Sequence, residues 1–315
     1  MTDVLRLLTP GPCTTVQDLG RFHAYHLGVP VSGVMDDYAA IFANRLVGNE
    51  DGAALLEMTL VGAILEVLAP CDIAITGAAM GPRVGGVPVR QWTSLRVAPG
   101  DLLELGGTNN GCRAYLAVGG GIDVAPLLGS RSTYLGGGCG GYQGRMLAAG
   151  DVLQRRPTPL LTRANQLPWH PLYPETITIR AIPGPHQHWF TKSLEPFYSA
   201  SFTVSAQCNR MGIRLDGAKI DRDPGAPESI LSEPVVPGNI QIPAGGQPII
   251  LLKEQTIGGY TAIATVISCD LWRLGQAKPG DCLRFVCVDL ETAHSLLREW
   301  KSFTGSSFTG SSLNF

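Results

Sequence analysis

The sequence predicts a mainly β protein built as two β-barrel lobes with a few short helices. Three observations carry this. Short runs rich in Val, Ile and Leu recur along the chain, bounded by Gly and Pro. Helical spacing of apolar residues is confined to two places. Four blocks of the first half recur, in order, in the second half, as a duplication would leave them.

The strand-like runs are GAILEVLA (62–69), CDIAITGA (71–78), SLRVA (94–98), DLLEL (101–105), RAYLAVGG (113–120), TITIRAI (176–182), PIILLKE (248–254) and CLRFVCV (282–288). The first helix is expected over 36–48, with Asp36 or Asp37 as cap and Gly48 at the stop. The second is LETAHSLLREWKSF (290–303), with apolar residues three and four apart.

The repeat aligns TPGP (9–12) with IPGP (182–185) and LLEMTLVGAILEV (55–67) with ILSEPVVPGNIQI (230–242). It continues with CDIAITGAA (71–79) against QPIILLKEQ (247–255) and APGDLLEL (98–105) against KPGDCLRF (278–285). Each half is then expected to close into a barrel, which leaves no open sheet edge. The expected boundaries are 1–158 for the first lobe, 176–303 for the second and 304–315 for a flexible tail. The proline-rich stretch 156–175 reads as the linker.

Composition narrows the function. Apolar residues make up 44% and charged residues 16%, the reverse of a disordered chain. The formal net charge is -2, the lysines are five and no basic stripe is visible, so no nucleic-acid footprint is expected. No run is long and apolar enough for a membrane span, and no secretory signal is expected from the opening MTDVLRLLTPG. None of the eight cysteines forms a C-x-x-C pair, so no zinc knuckle is expected. The bland reading is a cytoplasmic protein with reduced thiols.

An ordered set of motifs covers most of the chain. It includes PGPCTTVQDLGR (10–21), GVPVSGVMDDYAAIFANRLVGN (28–49), LGSRSTYLGGGCGGYQGRML (128–147), CNRMGIRL (208–215), LSEPVVPGNIQIPAGGQPIILL (231–252) and QTIGGYTAIATVI (255–267). This set resembles the carboxyltransferase A/B family, also called allophanate hydrolase subunit two and KipA-like. The resemblance implies a cyclophilin-like β-barrel fold. It also implies one of three roles. The first is the C subunit of an ATP-dependent 5-oxoprolinase, a hydrolase active only in a hetero-oligomeric complex. Its partners would be a B subunit of the KipI-like, allophanate-hydrolase-subunit-one type and a LamB/YcsF-like A subunit. The second role is the carboxyltransferase part of a biotin-dependent urea carboxylase. The third is a regulator that antagonises a kinase inhibitor. In the family pattern a biotin-bearing lysine is flanked by methionines, and none of the five lysines here has a methionine neighbour. The chain has no P-loop either, so ATP is expected to be used by the complex with no site assigned on this chain.

The resemblance and the residue chemistry together nominate Gln17, Asp18, Arg21, Asn209, Arg210, Gln241, Gln255 and Tyr260 as substrate-binding; no catalytic residue and no metal ligand is assigned. Arg21 could grip a carboxylate in bidentate fashion; the structural alternative is an Asp18–Arg21 pair fixing a turn. Arg210 and Arg214 would share a face if both lie on one strand. The amides of Gln241 and Gln255 donate and accept, which suits a lactam. Three positions depart from the family pattern: Cys208 for serine, Lys253 for aspartate and Ile257 for threonine. The loop with Gly136, Gly138 and Gly141 has a formal G-x-G-x-x-G but no clear following helix. His186 and His188 would share a strand face, without a third ligand nearby.

Overall fold

The computed structural model describes residues 1–305, and the last ten residues of the expected tail lie outside them. The chain divides into two compact units. Among the described residues, the first comprises residues 1–24 and 31–173, and the second comprises residues 25–30 and 174–305.

The first unit is mainly β. Its strands are β1 (Thr2–Thr9), β2 (Thr14–Gln17), β3 (Leu55–Thr59), β4 (Ile64–Val67), β5 (Cys71–Gly77) and β6 (Arg83–Val84). They continue with β7 (Val87–Pro88), β8 (Ser94–Val97), β9 (Leu102–Glu104), β10 (Arg113–Val118) and β11 (Val152–Arg155). They form two separate sheets, β11-β1-β4-β9-β6-β7 and β2-β3-β10-β5-β8. Leu5, Leu7 and Leu65 of one sheet meet Ile73, Ile75 and Leu116 of the other in a continuous core. β5 and β10 are buried along their whole length, because their other face lies under α1 (Asp37–Leu46). Thr76 of β5 donates to the Ala39 carbonyl at 2.7 Å on that face.

α1 begins where the sequence predicts. Asp36 is extended and its side chain accepts from Ala39 N at 2.9 Å, satisfying one of the free amides of the first turn. Gly48, with φ of +75°, follows the C-cap. The Asp36 carboxylate also accepts from the Tyr173 hydroxyl at 2.9 Å. The Asp36 amide donates to the Tyr115 hydroxyl at 2.8 Å, and that hydroxyl donates to Glu57 at 2.9 Å. Glu57 accepts from Met35 N as well, at 2.8 Å. Burial, with the neighbouring carboxylates, raises both tyrosines well above the usual phenol range, so they stay protonated donors.

The stretch expected to be a linker is largely a strap on the first unit. Leu161 N donates to Asp72 at 2.6 Å, and Asn165 exchanges hydrogen bonds with Ser94. Asn165 also reaches the end of α1, donating to the Leu46 carbonyl at 3.0 Å. Proline richness here marks an extended chain tied at intervals, and the expected boundary at 158 moves to 173.

The second unit contains a closed barrel. Its strands are β12 (Thr176–Pro183), β13 (Ser201–Val204), β14 (Gly212–Asp216), β16 (Asn239–Ile242), β17 (Ile249–Leu251), β19 (Thr261–Val266) and β20 (Cys282–Cys287); a short ribbon adds β15 (Glu233–Pro234) and β18 (Ile257–Gly258). The barrel order is β12-β19-β16-β17-β14-β13-β20. It closes by parallel pairing of β12 with β20, from Thr176 opposite Cys282 to Ala181 opposite Cys287. Two-residue alternation buries Ile177, Ile179, Phe202, Ile213, Leu215, Leu283 and Phe285. α2 (Leu194–Ser199) stacks Phe197 on Phe285, with centroids 4.8 Å apart. α3 (Leu271–Leu274) and α4 (Leu290–Gly305) complete the unit, and Trp272 stacks on Trp300 of α4 at 5.9 Å. Thr304 and Gly305, expected in the tail, finish α4.

The mainly β class holds, with barrel closure confined to the second unit. The aligned blocks keep their order but not their partners. β1 lies between two antiparallel neighbours, β4 and β11, whereas β12 has antiparallel β19 on one side and parallel β20 on the other. Repeated turn chemistry therefore sets similar strand starts in two different sheets.

Two outcomes follow. Asp36→Ala removes the α1 cap and leaves the Tyr173 hydroxyl without its acceptor; urea denaturation should show a loss of about 3 kcal/mol. A Cβ on Gly140, at φ of +69°, would stand 2.2 Å from the Ser132 carbonyl, whereas one on Gly138, at φ of +59°, meets nothing within 4 Å. Gly140→Ala should then lower stability by about 3 kcal/mol and Gly138→Ala by only about 1 kcal/mol, the left-handed backbone alone.

Candidate functional site

A cleft of about 570 Å³ lies on the outer face of the barrel in the second unit. Its position follows from strand alternation. Ile213, Leu215, Ile240 and Ile250 point inward and are buried, so the alternate residues must face out. Arg214 pairs with Ile249, and Ile249 pairs with Gln241, so the three form one row across β14, β17 and β16. That row is the cleft floor. The ribbon of β15 and β18 forms its lip, held by Ile230 N to the Gly259 carbonyl at 2.9 Å and Val235 N to the Thr256 carbonyl at 3.1 Å.

The lining is polar and carries one charge. Asn209, Gln241, Gln255, Tyr260 and Ser232 all contribute, and Arg214 is the cation; no Asp or Glu lines it. The side chains of Arg214, Gln241, Gln255 and Tyr260 make no hydrogen bond or ion pair among the described residues. A guanidinium without a counter-charge beside unpaired amides is suited to a small anion that also offers a donor and an acceptor. Gln241 is 3% exposed and passes beneath Gly258, where a Cβ would come within 2.4 Å of its amide nitrogen.

Of the residues nominated from sequence, Asn209, Gln241, Gln255 and Tyr260 gather in this cleft. Arg210 does not line it. The Asn209 side chain accepts from Met211 N and Gly212 N, making a tight turn that ends just as β14 begins. The two-residue period therefore does not extend back to 210, and Arg210 and Arg214 do not share a face. Arg210 instead forms a buried ion pair with Glu254 at 2.6 Å. That pair ties the 209–212 turn to the segment that carries Gln255, and so fixes two edges of the cleft. Arg214, which the sequence analysis raised only as a face-mate of Arg210 and did not nominate, lines the cleft because β14 begins at Gly212.

Gln17, Asp18 and Arg21 belong to the first unit and do not line this cleft. Asp18 accepts from Ser130 Oγ at 2.6 Å, Ser132 Oγ at 2.5 Å, Arg131 N at 2.5 Å and Gly20 N at 2.8 Å. It fixes the 130–132 turn, and no Asp18–Arg21 pair forms. Gln17 donates to Thr15 and to the Thr133 carbonyl. Arg21 is 1% exposed and donates through one nitrogen to the Ser132 carbonyl, while its Nε and Nη1 have no hydrogen-bond partner. The glycine-rich loop packs against this turn, with no helix following it. His186 and His188 fall in a turn and a short 3₁₀ segment, and do not share a strand face. His186 accepts from Ala262 N at 3.0 Å and stacks on Trp189. Among the described residues no group of three His, Cys, Asp or Glu side chains is placed to hold a metal. Cys208 falls between two lining residues and is not itself in the lining.

Gly258→Ala should test the cleft's construction. The added methyl displaces the Gln241 amide, so the Gln241 side-chain amide peaks should shift in ¹H–¹⁵N spectra while stability falls by only about 1–2 kcal/mol.

Comparison with known proteins gives the frame for this site. A model of the carboxyltransferase domain, subdomain A and B, matches residues 27–287. The C subunit of 5-oxoprolinase from Escherichia coli (strain K12) is 39% identical over 298 residues, covering 92% of this chain and 93% of that protein. The urea amidolyase of Lachancea kluyveri is 36% identical over 91% of this chain, which spans 17% of its length. The crystal structure of the Kluyveromyces lactis urea carboxylase matches with a TM-score of 0.90 at 32% identity, over 96% of this chain and 29% of that one. With the family model and full-length relatives in agreement, the chain belongs to the carboxyltransferase domain family of subdomains A and B.

Proposed function

We propose that this chain is the C subunit of an ATP-dependent 5-oxoprolinase, which converts 5-oxoproline to glutamate together with A and B partners. The observation that carries the proposal is the match, over nearly the full length of both chains, to a protein named as the C subunit of 5-oxoprolinase. The cleft chemistry supports it. 5-Oxoproline is a small ring with one carboxylate, one N–H and one C=O. Arg214 would take the carboxylate, and Gln241, Gln255 and Asn209 would meet the lactam donor and acceptor. Opening the lactam needs a polarised carbonyl and an activated nucleophile. In this proposal the cleft binds and orients the ring, while ATP is a requirement of the whole assembly.

The second reading is a carboxyltransferase acting with a biotin-bearing partner. It draws on the urea amidolyase and urea carboxylase relatives, in which a region like this chain is part of a much longer protein. Arg214 suits both readings, since the carboxyl group moved in the second is itself an anion before and after transfer. The match over nearly the whole of the 5-oxoprolinase subunit, against a fraction of the urea enzymes, favours the first.

The test is glutamate formation from 5-oxoproline and ATP by the reconstituted complex. Omitting this chain should abolish turnover. Arg214→Gln should raise KM for 5-oxoproline about tenfold or more with a smaller change in kcat, as loss of a charge-assisted contact requires. Equal turnover without this chain would falsify the proposal.

A further inference from the structure

A second cavity lies wholly within the first unit. It has a volume of about 410 Å³ and is lined by the 77–79 and 90–92 segments, Asn110 and the strap residues 166–173. The strap that covers unit one therefore also forms a wall of this cavity.

Its chemistry is defined by a few side chains. Arg90 is exposed at the cavity and forms no ion pair or hydrogen bond among the described residues, and no Asp or Glu joins it in the lining. The side-chain amides of Asn110 and Gln166 are likewise without partners. Trp92 is 4% exposed, and the exposed His170 ring stacks parallel to it, 4° between planes and 5.2 Å between centroids. Tyr173 is fixed by its bond to Asp36 and stands at the same wall.

The backbone here is also unusual. Trp92 has φ of +60°, a conformation that a bulky L-residue rarely adopts. It is held there from both sides, by Trp92 N to the Ile75 carbonyl at 2.8 Å and by Leu167 N to the Trp92 carbonyl at 3.1 Å. Strained residues of this kind persist where surrounding structure imposes them, and they cluster at ligand sites. The strain here places an indole in the lining of a cavity whose one permanent charge is positive.

We propose that this cavity is a second ligand site, specific for a small organic carboxylate with a flat apolar body. The carboxylate would pair with Arg90 and accept from Asn110 and Gln166, and the flat body would lie against the exposed His170 ring, which Trp92 backs. A polar anchor beside an aromatic surface is the usual composition of a small-molecule site. The inference does not depend on the 5-oxoproline proposal, since no residue is shared between the two cavities.

Benzoate is the probe, with benzamide as its uncharged counterpart, and binding to the full chain is read by titration calorimetry. Benzoate should bind saturably, benzamide should not, and Arg90→Gln should weaken benzoate about tenfold or more, as a charge-assisted contact requires. Arg214→Gln should leave benzoate affinity unchanged. Arg90 is exposed and forms no ion pair or hydrogen bond among the described residues, so its variant should fold, which circular dichroism checks. Absence of saturable binding overturns the proposal, as does equal affinity for benzamide, equal affinity in Arg90→Gln, or loss of binding in Arg214→Gln.

Discussion

Two buried carboxylates, Asp36 and Glu57, organise the first unit. Each is at most 2% exposed, and a charge so far from water persists only where hydrogen-bond donors and opposite charge surround it. The donors come from different parts of the chain. Asp36 takes Ala39 N from α1 and the Tyr173 hydroxyl from the strap, and Glu57 takes Met35 N and the Tyr115 hydroxyl. Arg113 stands 3.8 Å from Glu57. Satisfying these groups at once leaves α1, β3, β10 and the strap little freedom. Apolar contact between the sheets supplies the bulk of the burial; the polar cluster selects one arrangement of the elements that lie over it.

The second unit solves a different problem. Its barrel commits one face of every strand to the core, so chemistry is confined to the outer face or to the ribbon laid across it. Arg214, Ile249 and Gln241 occupy such an outward row. The buried Arg210–Glu254 pair stabilises the turn and segment that flank the row without touching the cleft's interior. Glycine completes the construction, since Gly258 leaves the space that the Gln241 amide occupies.

Much of this was legible in the residues. The strand runs, the Asp36 cap and the helix from Leu290 all appear where hydrophobic period and turn chemistry place them. Four of the nominated site residues, Asn209, Gln241, Gln255 and Tyr260, come together from three separate segments of the chain. What was hidden depended on long-range partners. Asp18 is satisfied by Ser130 and Ser132, more than a hundred positions away, so the local guess of an Asp18–Arg21 pair had no means of finding them. The face of Arg210 was misjudged because the strand begins only at Gly212. The strap was read as a linker because proline and missing periodicity describe an extended segment whether or not something holds it. Closure of one lobe and not the other turns on which strands pair, and alternation alone is silent on that.

The closure of the barrel has a consequence for the nascent chain. β12 is the first barrel strand to leave the ribosome, and its two partners, β19 and β20, are the last. Until Cys282–Cys287 emerges, the backbone donors and acceptors on one edge of Thr176–Pro183 have no partner in the barrel. Pairing that waits on so distant a segment carries a large loop-closure cost and a slow approach. An open strand edge in that interval is a template for pairing with another chain. This unit is therefore most exposed to misassembly during synthesis, and a chain that stops short of its final strand would leave that edge open permanently.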